Sequence, residues 1–239
     1  MSKRNNKGSG RAILMCAGEY EMMEILRGAE DLVIAVDGGL SRLLQAGIEP
    51  DLVLGDFDSL GDQYLPFLEN MKKTAPDRVL ELPCEKDDTD TVHAARVCLE
   101  RGYKTILIYG ALGGRLDHTI ANVQTLSWIR HNGGCGYLLA GKTLATVLCG
   151  EKITLPDTYE GTFSLFAMDE HVTGVTLEGM KYPLSEAALV NTFPLGVSNE
   201  VFAGTQASVT VRQGLALMIL HVRGGREICR PEELRREGL

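Results

Sequence analysis

The sequence predicts an α/β protein of two domains, in which a mostly parallel α/β domain precedes an antiparallel β-sandwich domain. In the first part of the chain, short apolar runs alternate with amphipathic helical patterns, as a parallel sheet covered by helices requires. From about Gly141 onwards, short β-branched runs separated by turn residues replace that alternation. We therefore predict a disordered tail over residues 1–10, an α/β domain over 11–141 and a sandwich domain over 142–239.

Five apolar runs of the first domain are predicted to be strands. Each run is short and rich in Val, Ile and Leu, and its hydrophobicity is continuous rather than alternating. That pattern is typical of parallel strands buried on both faces. The predicted strands are Arg11–Ala17, Leu32–Val36, Asp51–Leu54, Arg78–Leu82 and Thr105–Tyr109.

Three helices are predicted between these strands. Gly47 ends the first, because glycine readily adopts the left-handed conformation that closes a helix. Thr89 or Asp90 is the expected N-cap of the second, and Asp117 that of the third. The predicted helices are Gly39–Ala46, Asp90–Arg101 and His118–His131.

The second domain is predicted to contain five strands joined by turns. Its apolar runs are short, alternating or β-branched, and dipeptides such as Pro156-Asp157 and Gln213-Gly214 separate them. Strands at this spacing favour a small antiparallel sandwich. The predicted strands are Thr143–Leu148, Thr162–Met168, His171–Leu177, Ala207–Val211 and Ala216–His221.

Charge and hydropathy exclude several classes of protein. The chain carries 24 Lys and Arg against 32 Asp and Glu, a net charge of −8, whereas a nucleic-acid-binding protein usually presents a basic face. No apolar run approaches the roughly 18 residues of a membrane-spanning helix. The basic N-terminus leads only into the short stretch Ala12–Ala17, so we predict no signal peptide and a cytoplasmic location. The six scattered cysteines are predicted to be small buried hydrophobic residues.

Acidic residues gather where three consecutive predicted strands end. Ligands of open α/β sheets bind beyond the carboxyl ends of the strands, so one edge of the sheet collects these side chains. Helix capping and turn formation are the alternative role, which stays open for Asp88 and Asp51. The acidic residues are Asp37 after the second strand, Asp56 and Asp58 after the third, and Asp87, Asp88 and Asp90 after the fourth.

A cation is expected among these carboxylates. Two like unit charges about 4 Å apart repel by about 4 kcal/mol at an effective dielectric constant of about 20. An all-oxygen ligand set without a nearby His or Cys favours a hard ion, which means Mg²⁺ or Mn²⁺.

A glycine-rich segment follows the fifth predicted strand. It contains Gly110, Gly113 and Gly114 ahead of Arg115, and Asp117 opens the next helix. Glycine lets a phosphate approach the backbone closely, the helix start offers free N–H groups, and arginine supplies a planar pair of donors. The residues thus predict a cation-assisted reaction on a phosphate ester, and they leave the acceptor open.

Six short motifs lie along the chain in a distinctive order. They are VDGG, PDLVLGDFDS, KDDTD, GALGGRLDHTIAN, GMKYPL and SNE. As a set they resemble the thiamine pyrophosphokinase family, and the resemblance covers nearly the whole chain. It implies an α/β nucleotide-binding domain followed by a β-sandwich domain. It also implies ATP as co-substrate, Mg²⁺ as cofactor, and a homodimer with active sites between protomers.

The resemblance also assigns roles to residues of the first domain. It implies that Asp56, Asp58 and Asp90 organise the metal and the phosphates, with Asp37 close by and Arg115 among the catalytic residues. Lys86 stands where some family members carry Gln, which leaves its role open. The residues that the resemblance places at the nucleotide are Gly38, Lys86, Asp87, Gly113, Gly114, Arg115, Asp117 and Asn122.

In the second domain the resemblance implies a thiamine pocket. It places Tyr182, Ser198 and Asn199 there, together with Asp90 of the first domain. A cationic thiazolium ring favours an aromatic face by about 0.5–2 kcal/mol. Some family members carry Trp where this chain has Tyr182, so the stacking surface is kept with a smaller ring.

The resemblance implies that the thiamine hydroxyl attacks the β-phosphorus of ATP, giving thiamine diphosphate and AMP. Asp37 or Asp90 accepts the hydroxyl proton in this hypothesis. Three alternatives remain from the residues alone: transfer to another alcohol such as a pterin, a metal-dependent nucleotide phosphohydrolase, and a catalytically silent binding module.

Overall fold

The computed structural model describes residues 10–19, 24–58, 60–83, 88–224 and 227–239. These residues fall into two compact units that divide after Ala140. The predicted disordered tail lies outside the described residues except for Gly10. Within the described residues, no helix is both long enough and apolar enough to cross a membrane.

The first unit contains a six-stranded sheet in the order β6-β5-β1-β2-β3-β4. Every neighbouring pair in it is parallel. All five predicted strands are present, and the prediction of an α/β fold with a mostly parallel sheet is confirmed. The strands are β1 Ala12–Met15, β2 Leu32–Val36, β3 Leu52–Gly55, β4 Val79–Glu81, β5 Thr105–Tyr109 and β6 Cys135–Ala140.

Burial separates the central strands from the edge strand β4. Every residue of β1, β2 and β3 is buried, as continuous hydrophobicity predicts. In contrast, Val79 and Leu80 are half-buried and Glu81 is exposed. The prediction that β4 is covered on both faces is therefore wrong, because its side chains are only partly covered. Within the described residues, β4 pairs with β3 alone and lies at the edge of the sheet.

Four helices accompany this sheet. Thr89 caps α3 by accepting a hydrogen bond from the N–H of Val92 (3.4 Å), which confirms one of the two predicted caps. Asp117 is not the cap of α4: Arg115 occupies that position and Asp117 lies in the first turn. The helix α2 was not predicted. The helices are α1 Gly39–Gln45, α2 Leu65–Thr74, α3 Asp90–Glu100 and α4 Leu116–His131.

The second unit contains two groups of antiparallel strands. One group pairs in the order β12-β9-β14-β7 and the other in the order β11-β10-β13-β8-β15. The five predicted strands correspond to β7, β9, β10, β13 and β14, and the other four were not predicted. The strands are β7 Thr143–Leu148, β8 Glu151–Thr154, β9 Gly161–Ala167, β10 His171–Glu178, β11 Leu184–Val190, β12 Gly196–Val201, β13 Ser208–Val211, β14 Ala216–Val222 and β15 Arg235–Gly238.

An arginine on β15 joins the two groups of strands. Arg236 donates one hydrogen bond to the Glu151 carboxylate on β8 (2.9 Å) and another to the Thr146 hydroxyl on β7 (2.7 Å). Glu151 and Thr146 are both buried, so the guanidinium satisfies polar groups that would be costly to leave unpaired.

The five described cysteines are free thiols. Cys16, Cys98 and Cys229 are buried, as predicted, whereas Cys135 and Cys149 are half-buried. Burial raises the pKa of each of the three buried thiols to about 12, so they remain protonated and unreactive at neutral pH.

Candidate active site

Three carboxylates meet at the carboxyl edge of the parallel sheet. Asp37 directly follows β2, while Asp56 and Asp58 follow β3. One carboxylate oxygen from each lies within 4.8 Å of the others. Asp37 and Asp56 are half-buried and Asp58 is exposed, so the group opens towards solvent.

The pairing of β2 with β3 brings Asp37 close to Asp56. The N–H of Asp37 donates to the carbonyl of Leu54 (2.7 Å), which continues the parallel ladder beyond the end of β2. Asp37 has φ +50°, a left-handed conformation that Asp tolerates better than most residues. A side chain at Gly55 would clash, since a Cβ there would lie 2.9 Å from the Cα of Asp37. Glycine at this position therefore permits the close approach.

A tight turn places Asp58 beside Asp56. The N–H of Asp58 donates to the Asp56 carboxylate (3.2 Å), and the residue between them, Phe57, has φ +62°. The Phe57 ring is buried, which anchors the turn in the core. Both carboxylates consequently face the same edge of the sheet as Asp37.

The chemistry of these donors fits a hard divalent cation. Three carboxylates at this separation repel one another by several kcal/mol, because even one pair at about 4 Å costs about 4 kcal/mol at an effective dielectric constant of about 20. The set contains no nitrogen or sulfur ligand. Oxygen ligands of this kind suit Mg²⁺ or Mn²⁺.

Asp90 lies on the same edge but is not a member of this group. It is the first residue of α3, and within the described residues the group holds Asp37 in its place. Asp90 and Asp37 both act on the Cys16 thiol, which follows β1. Burial is the main cause of the raised pKa of this thiol, and the charges of Asp90 and Asp37 raise that pKa further. Asp90 is therefore not one of the three grouped carboxylates, and its role as a metal ligand stays a prediction.

The glycine-rich segment forms a loop between β5 and α4. Gly110, Gly113 and Gly114 all have positive φ, at +63°, +82° and +65°. Arg115 directly follows and forms a two-pronged ion pair with Asp117, with N–O distances of 2.6 and 3.2 Å. Hydrogen bonds from Arg115 hold the pKa of Asp117 below its ordinary value. Both side chains are well exposed, at 72% and 65%, so the guanidinium is accessible to a ligand.

Asn122 supports this loop from below. It is buried on α4, and its side-chain amide donates to the carbonyl of Ala111 (2.7 Å). This contact fixes the backbone of the loop that follows β5, and the predicted contact of Asn122 with the nucleotide stays a prediction.

Glu19 is a neighbour of the loop that the sequence did not indicate. It forms an isolated antiparallel bridge with Leu112, and a Cβ on Gly113 would lie 2.5 Å from a carboxylate oxygen of Glu19. No motif or spacing links positions so far apart in the chain. Glycine at position 113 is therefore required both by its positive φ and by the closeness of Glu19.

Of the other residues predicted to bind the nucleotide, the structure describes Gly38 but not Lys86 or Asp87. Gly38 follows Asp37 and occupies the N-cap position of α1. Lys86 and Asp87 lie outside the described residues. Their neighbour Asp88 forms an ion pair with Arg96 of α3 (3.0 Å), which supports the structural role left open for it.

The predicted thiamine residues of the second unit lie in two adjacent segments. Tyr182 lies between β10 and β11 with 57% of its surface exposed, whereas Asn199 on β12 is buried. Asn199 exchanges hydrogen bonds with both backbone groups of Tyr182. Ser198 is exposed, has φ +60°, and lies where the register between β12 and β9 shifts. The structure thus brings Tyr182 and Asn199 together.

Charged side chains surround Tyr182. Lys181 lies with its ammonium 5.3 Å from the centre of the Tyr182 ring and donates to the Glu200 carboxylate (2.6 Å). Arg223 donates to the other oxygen of Glu200 (2.9 Å). Hydrogen bonding to Glu200 raises the pKa of Lys181, so the ammonium stays charged at neutral pH.

Comparison with known proteins matches both units. The family model of the thiamin pyrophosphokinase catalytic domain covers residues 24–135, and that of the thiamin pyrophosphokinase vitamin B1 binding domain covers residues 151–216. A thiamine pyrophosphokinase of Bacillus subtilis (strain 168) is 30% identical over 210 residues, which span 86% of this chain and 96% of that protein.

Solved structures agree with this match. A thiamine pyrophosphokinase from Bacillus subtilis superposes with a TM-score of 0.76 at 29% identity, covering 90% of this chain and 100% of that one. A thiamin pyrophosphokinase from Geobacillus thermodenitrificans gives a TM-score of 0.75 at 28% identity, covering 92% and 100%. Since the family models match both units and the relatives are matched along almost their whole length, the chain belongs to the thiamin pyrophosphokinase family.

Proposed function

We propose that this chain transfers the pyrophosphoryl group of ATP to the hydroxyl of thiamine, producing thiamine diphosphate and AMP. The observation that carries this proposal is the group of three carboxylates in the same unit as an exposed arginine that follows a glycine-rich loop, in a chain of this family. Reactions of this class depend on positioning and charge neutralisation, which such a site can supply.

Asp37, Asp56 and Asp58 would hold Mg²⁺ at the edge of the sheet. The all-oxygen donor set and the mutual repulsion of the three carboxylates support this assignment. The cation held by these residues would supply positive charge that offsets the charge of the ATP phosphates. Compared with the prediction from the sequence, Asp37 replaces Asp90 as the third carboxylate.

The loop after β5 binds the phosphates of ATP. Its glycines leave the backbone open to close approach, and the N–H groups of the first turn of α4 point towards it. Arg115 donates to a phosphate oxygen with the N–H groups that do not bind Asp117, or it releases Asp117 and binds the phosphate in its place. It stabilises negative charge as the bond between the β-phosphorus and the departing AMP oxygen breaks.

Asp90 accepts the proton of the thiamine hydroxyl. The sequence left Asp37 and Asp90 as alternatives, and a carboxylate that binds a divalent cation is a weak base. In this proposal the cation occupies Asp37, Asp56 and Asp58, so the proton falls to Asp90, which begins α3 on the same edge. The hydroxyl oxygen then attacks the β-phosphorus, and AMP leaves with the bonding electrons.

The second unit binds thiamine as a β-sandwich domain. Tyr182 presents an exposed ring, and an aromatic face attracts a thiazolium cation by about 0.5–2 kcal/mol. Ser198 lies one residue from Asn199 in the strand that contacts the Tyr182 segment, and its exposed hydroxyl supplies a polar contact.

The active enzyme is a homodimer with active sites between protomers. Four large apolar side chains in or beside β12 are exposed, which is unusual for a surface that stays in water. Sedimentation of the purified protein tests this part of the proposal, and a monomer at working concentration would contradict it. The exposed side chains are Phe193, Leu195, Val197 and Phe202.

The reaction is tested by incubating purified protein with ATP and Mg²⁺, with and without thiamine, and measuring AMP, ADP and thiamine diphosphate. AMP and thiamine diphosphate rising together, and only when thiamine is present, is the expected result. ADP would indicate an ordinary kinase, and AMP without thiamine would indicate a hydrolase. Chelation of the metal should stop the reaction.

A further inference from the structure

We infer that Asn199 is a positioning residue that fixes the Tyr182 ring for thiamine and does not itself touch thiamine. The inference rests on the proposed function, and it goes beyond it by assigning Asn199 a role through Tyr182. Sequence resemblance placed Asn199 among the residues that line the pocket, whereas the contacts of its side chain point to a different task.

The amide of Asn199 clamps the backbone of Tyr182 on both sides. The N–H of Tyr182 donates to Asn199 Oδ1 (2.9 Å), and Asn199 Nδ2 donates to the carbonyl of Tyr182 (2.7 Å). Beside this clamp, the backbone N–H of Lys181 donates to the carbonyl of Glu200 (2.9 Å). The segment before β11 is thus tied to β12 by three hydrogen bonds within two residues.

The remaining capacity of the amide is also used. Oδ1 accepts a second hydrogen bond from the N–H of Glu200 (2.9 Å), and Nδ2 contacts the sulfur of Met180 (3.7 Å). A side-chain amide offers two donor hydrogens and one oxygen with two lone pairs, so the described partners occupy all four. Asn199 is 4% exposed. A direct contact with thiamine would require breaking one of these bonds.

An exposed aromatic ring on an irregular segment gains most from such a clamp. Tyr182 lies outside the strands and is 57% exposed, so few packing contacts fix its orientation. Without the clamp, each binding event would have to order the segment, which weakens affinity. Pro183 adds to the restriction, because it confines the preceding residue to extended conformations.

Two substitutions remove the clamp in different ways. Asn199→Asp keeps the size and the acceptor but loses the donor to the Tyr182 carbonyl; Asn199→Ser is too short to reach both groups. If either fails to fold, the other carries the test. We expect the KM for thiamine to rise by about 3- to 30-fold, the range that loss of a cation–aromatic contact predicts, with the KM for ATP unchanged.

A double-mutant cycle separates positioning from direct contact. In a Tyr182→Ala background there is no ring to position, so Asn199→Asp or Asn199→Ser should raise the KM for thiamine no further. An equal rise in both backgrounds would show that Asn199 contacts thiamine and would overturn the inference. Asn70→Asp, an exposed position on α2, makes the same chemical change away from the site and should leave both KM values unchanged.

Amide hydrogen exchange gives a readout without substrate. The clamp should protect the N–H of Tyr182 in the unliganded wild-type protein, and Asn199→Asp should accelerate its exchange while the strands β9 and β14 keep their protection. If Asn199→Asp leaves the exchange rate of the Tyr182 N–H unchanged, the inference is overturned. The proposed function would still stand as long as the wild-type protein turns over thiamine. Absence of thiamine-dependent AMP from the wild-type protein would overturn the proposed function and this role with it.

Discussion

The loop after β5 and the Tyr182 segment are held by the same device, yet they present different chemistry. In each, a buried asparagine donates to a backbone carbonyl at 2.7 Å: Asn122 to Ala111, and Asn199 to Tyr182. Asn122 holds a loop whose own backbone N–H groups would bind phosphate. Asn199 holds a segment whose backbone positions one side chain, the Tyr182 ring, for contact with thiamine.

This difference predicts how each region fails. The first unit concentrates charge on strand ends, so its contribution to the proposed reaction would be electrostatic. The second would contribute one aromatic surface, whose interaction energy is smaller and concerns thiamine alone. Changes at the carboxylates should therefore reduce turnover severely, whereas changes at the Tyr182 segment should act mainly on affinity for thiamine.

The largest effect is expected from Asp58→Asn. Removing one charge from the group of Asp37, Asp56 and Asp58 weakens the site for a divalent cation while leaving the exposed turn able to form. We expect turnover to fall by about 100-fold or more, while the melting temperature of the metal-free protein is not lowered, because one of three mutually repelling charges is removed. Asp77→Asn, an exposed acid away from the edge, is the matched control. Full activity in Asp58→Asn would remove the metal assignment.

Asn122→Ala should have the next largest effect. It leaves the buried carbonyl of Ala111 without its donor, at a cost of about 1–3 kcal/mol of stability. The loosened loop should raise the KM for ATP by about tenfold, with the KM for thiamine unchanged.

The same helix supplies the control for this change. Asn132 donates to the carbonyl of Trp128 (2.8 Å), but at an exposed position at the end of α4. Asn132→Ala should therefore alter neither KM. Steady-state kinetics with each substrate varied, together with thermal unfolding, distinguish the two variants, and an equal rise in both KM values for Asn122→Ala would refute a role confined to the loop.

The edge of the parallel sheet could be predicted because its residues follow from topology. Once β2 and β3 are recognised by continuous hydrophobicity, the residues just after them must share one edge. Asp37, Asp56 and Asp58 needed no further information. Asp90 was grouped with them for the same reason, but strand order alone does not report how far a helix start lies from a strand end.

The undetected elements have weak hydrophobic patterns. Strand β15 is largely exposed, and β11 and β12 mix buried and exposed residues without regular alternation. Each of the three lies at the end of its group of strands. Helix α2 buries two side chains alone, Leu68 and Met71, which is too few to define a helical face. The roles of Asn122 and Asn199 were also missed, because each depends on a contact between a side chain and a backbone group that no sequence pattern marks.

Tyr182→Ala should raise the KM for thiamine by about 3- to 30-fold, a smaller effect than the loss of turnover expected from Asp58→Asn. The ring supplies an exposed aromatic surface and no charge, so turnover at saturating thiamine should change little. Tyr182→Phe should keep most of the affinity, and Tyr182→Trp should increase it, since indole attracts cations more strongly. A fall in turnover with unchanged KM would instead place Tyr182 at the reacting atoms.

The smallest effect is expected from Lys181→Met. Whether this change lowers or raises the KM for thiamine shows what the Lys181 ammonium does at the Tyr182 ring. The Lys181 ammonium already lies 5.3 Å from the Tyr182 ring centre, where it competes with a thiazolium cation for the same ring. Removing it should lower the KM for thiamine by about twofold at low salt and less at high salt, because exposed charges are screened. Lys152→Met, at a half-buried lysine of β8 that is also paired with a glutamate (2.9 Å), should have no effect. A rise in the KM for thiamine would instead mean that the Lys181 ammonium orients Tyr182 through its ion pair with Glu200. Thiamine affinity would then depend on the whole segment around Tyr182 and not on its ring alone.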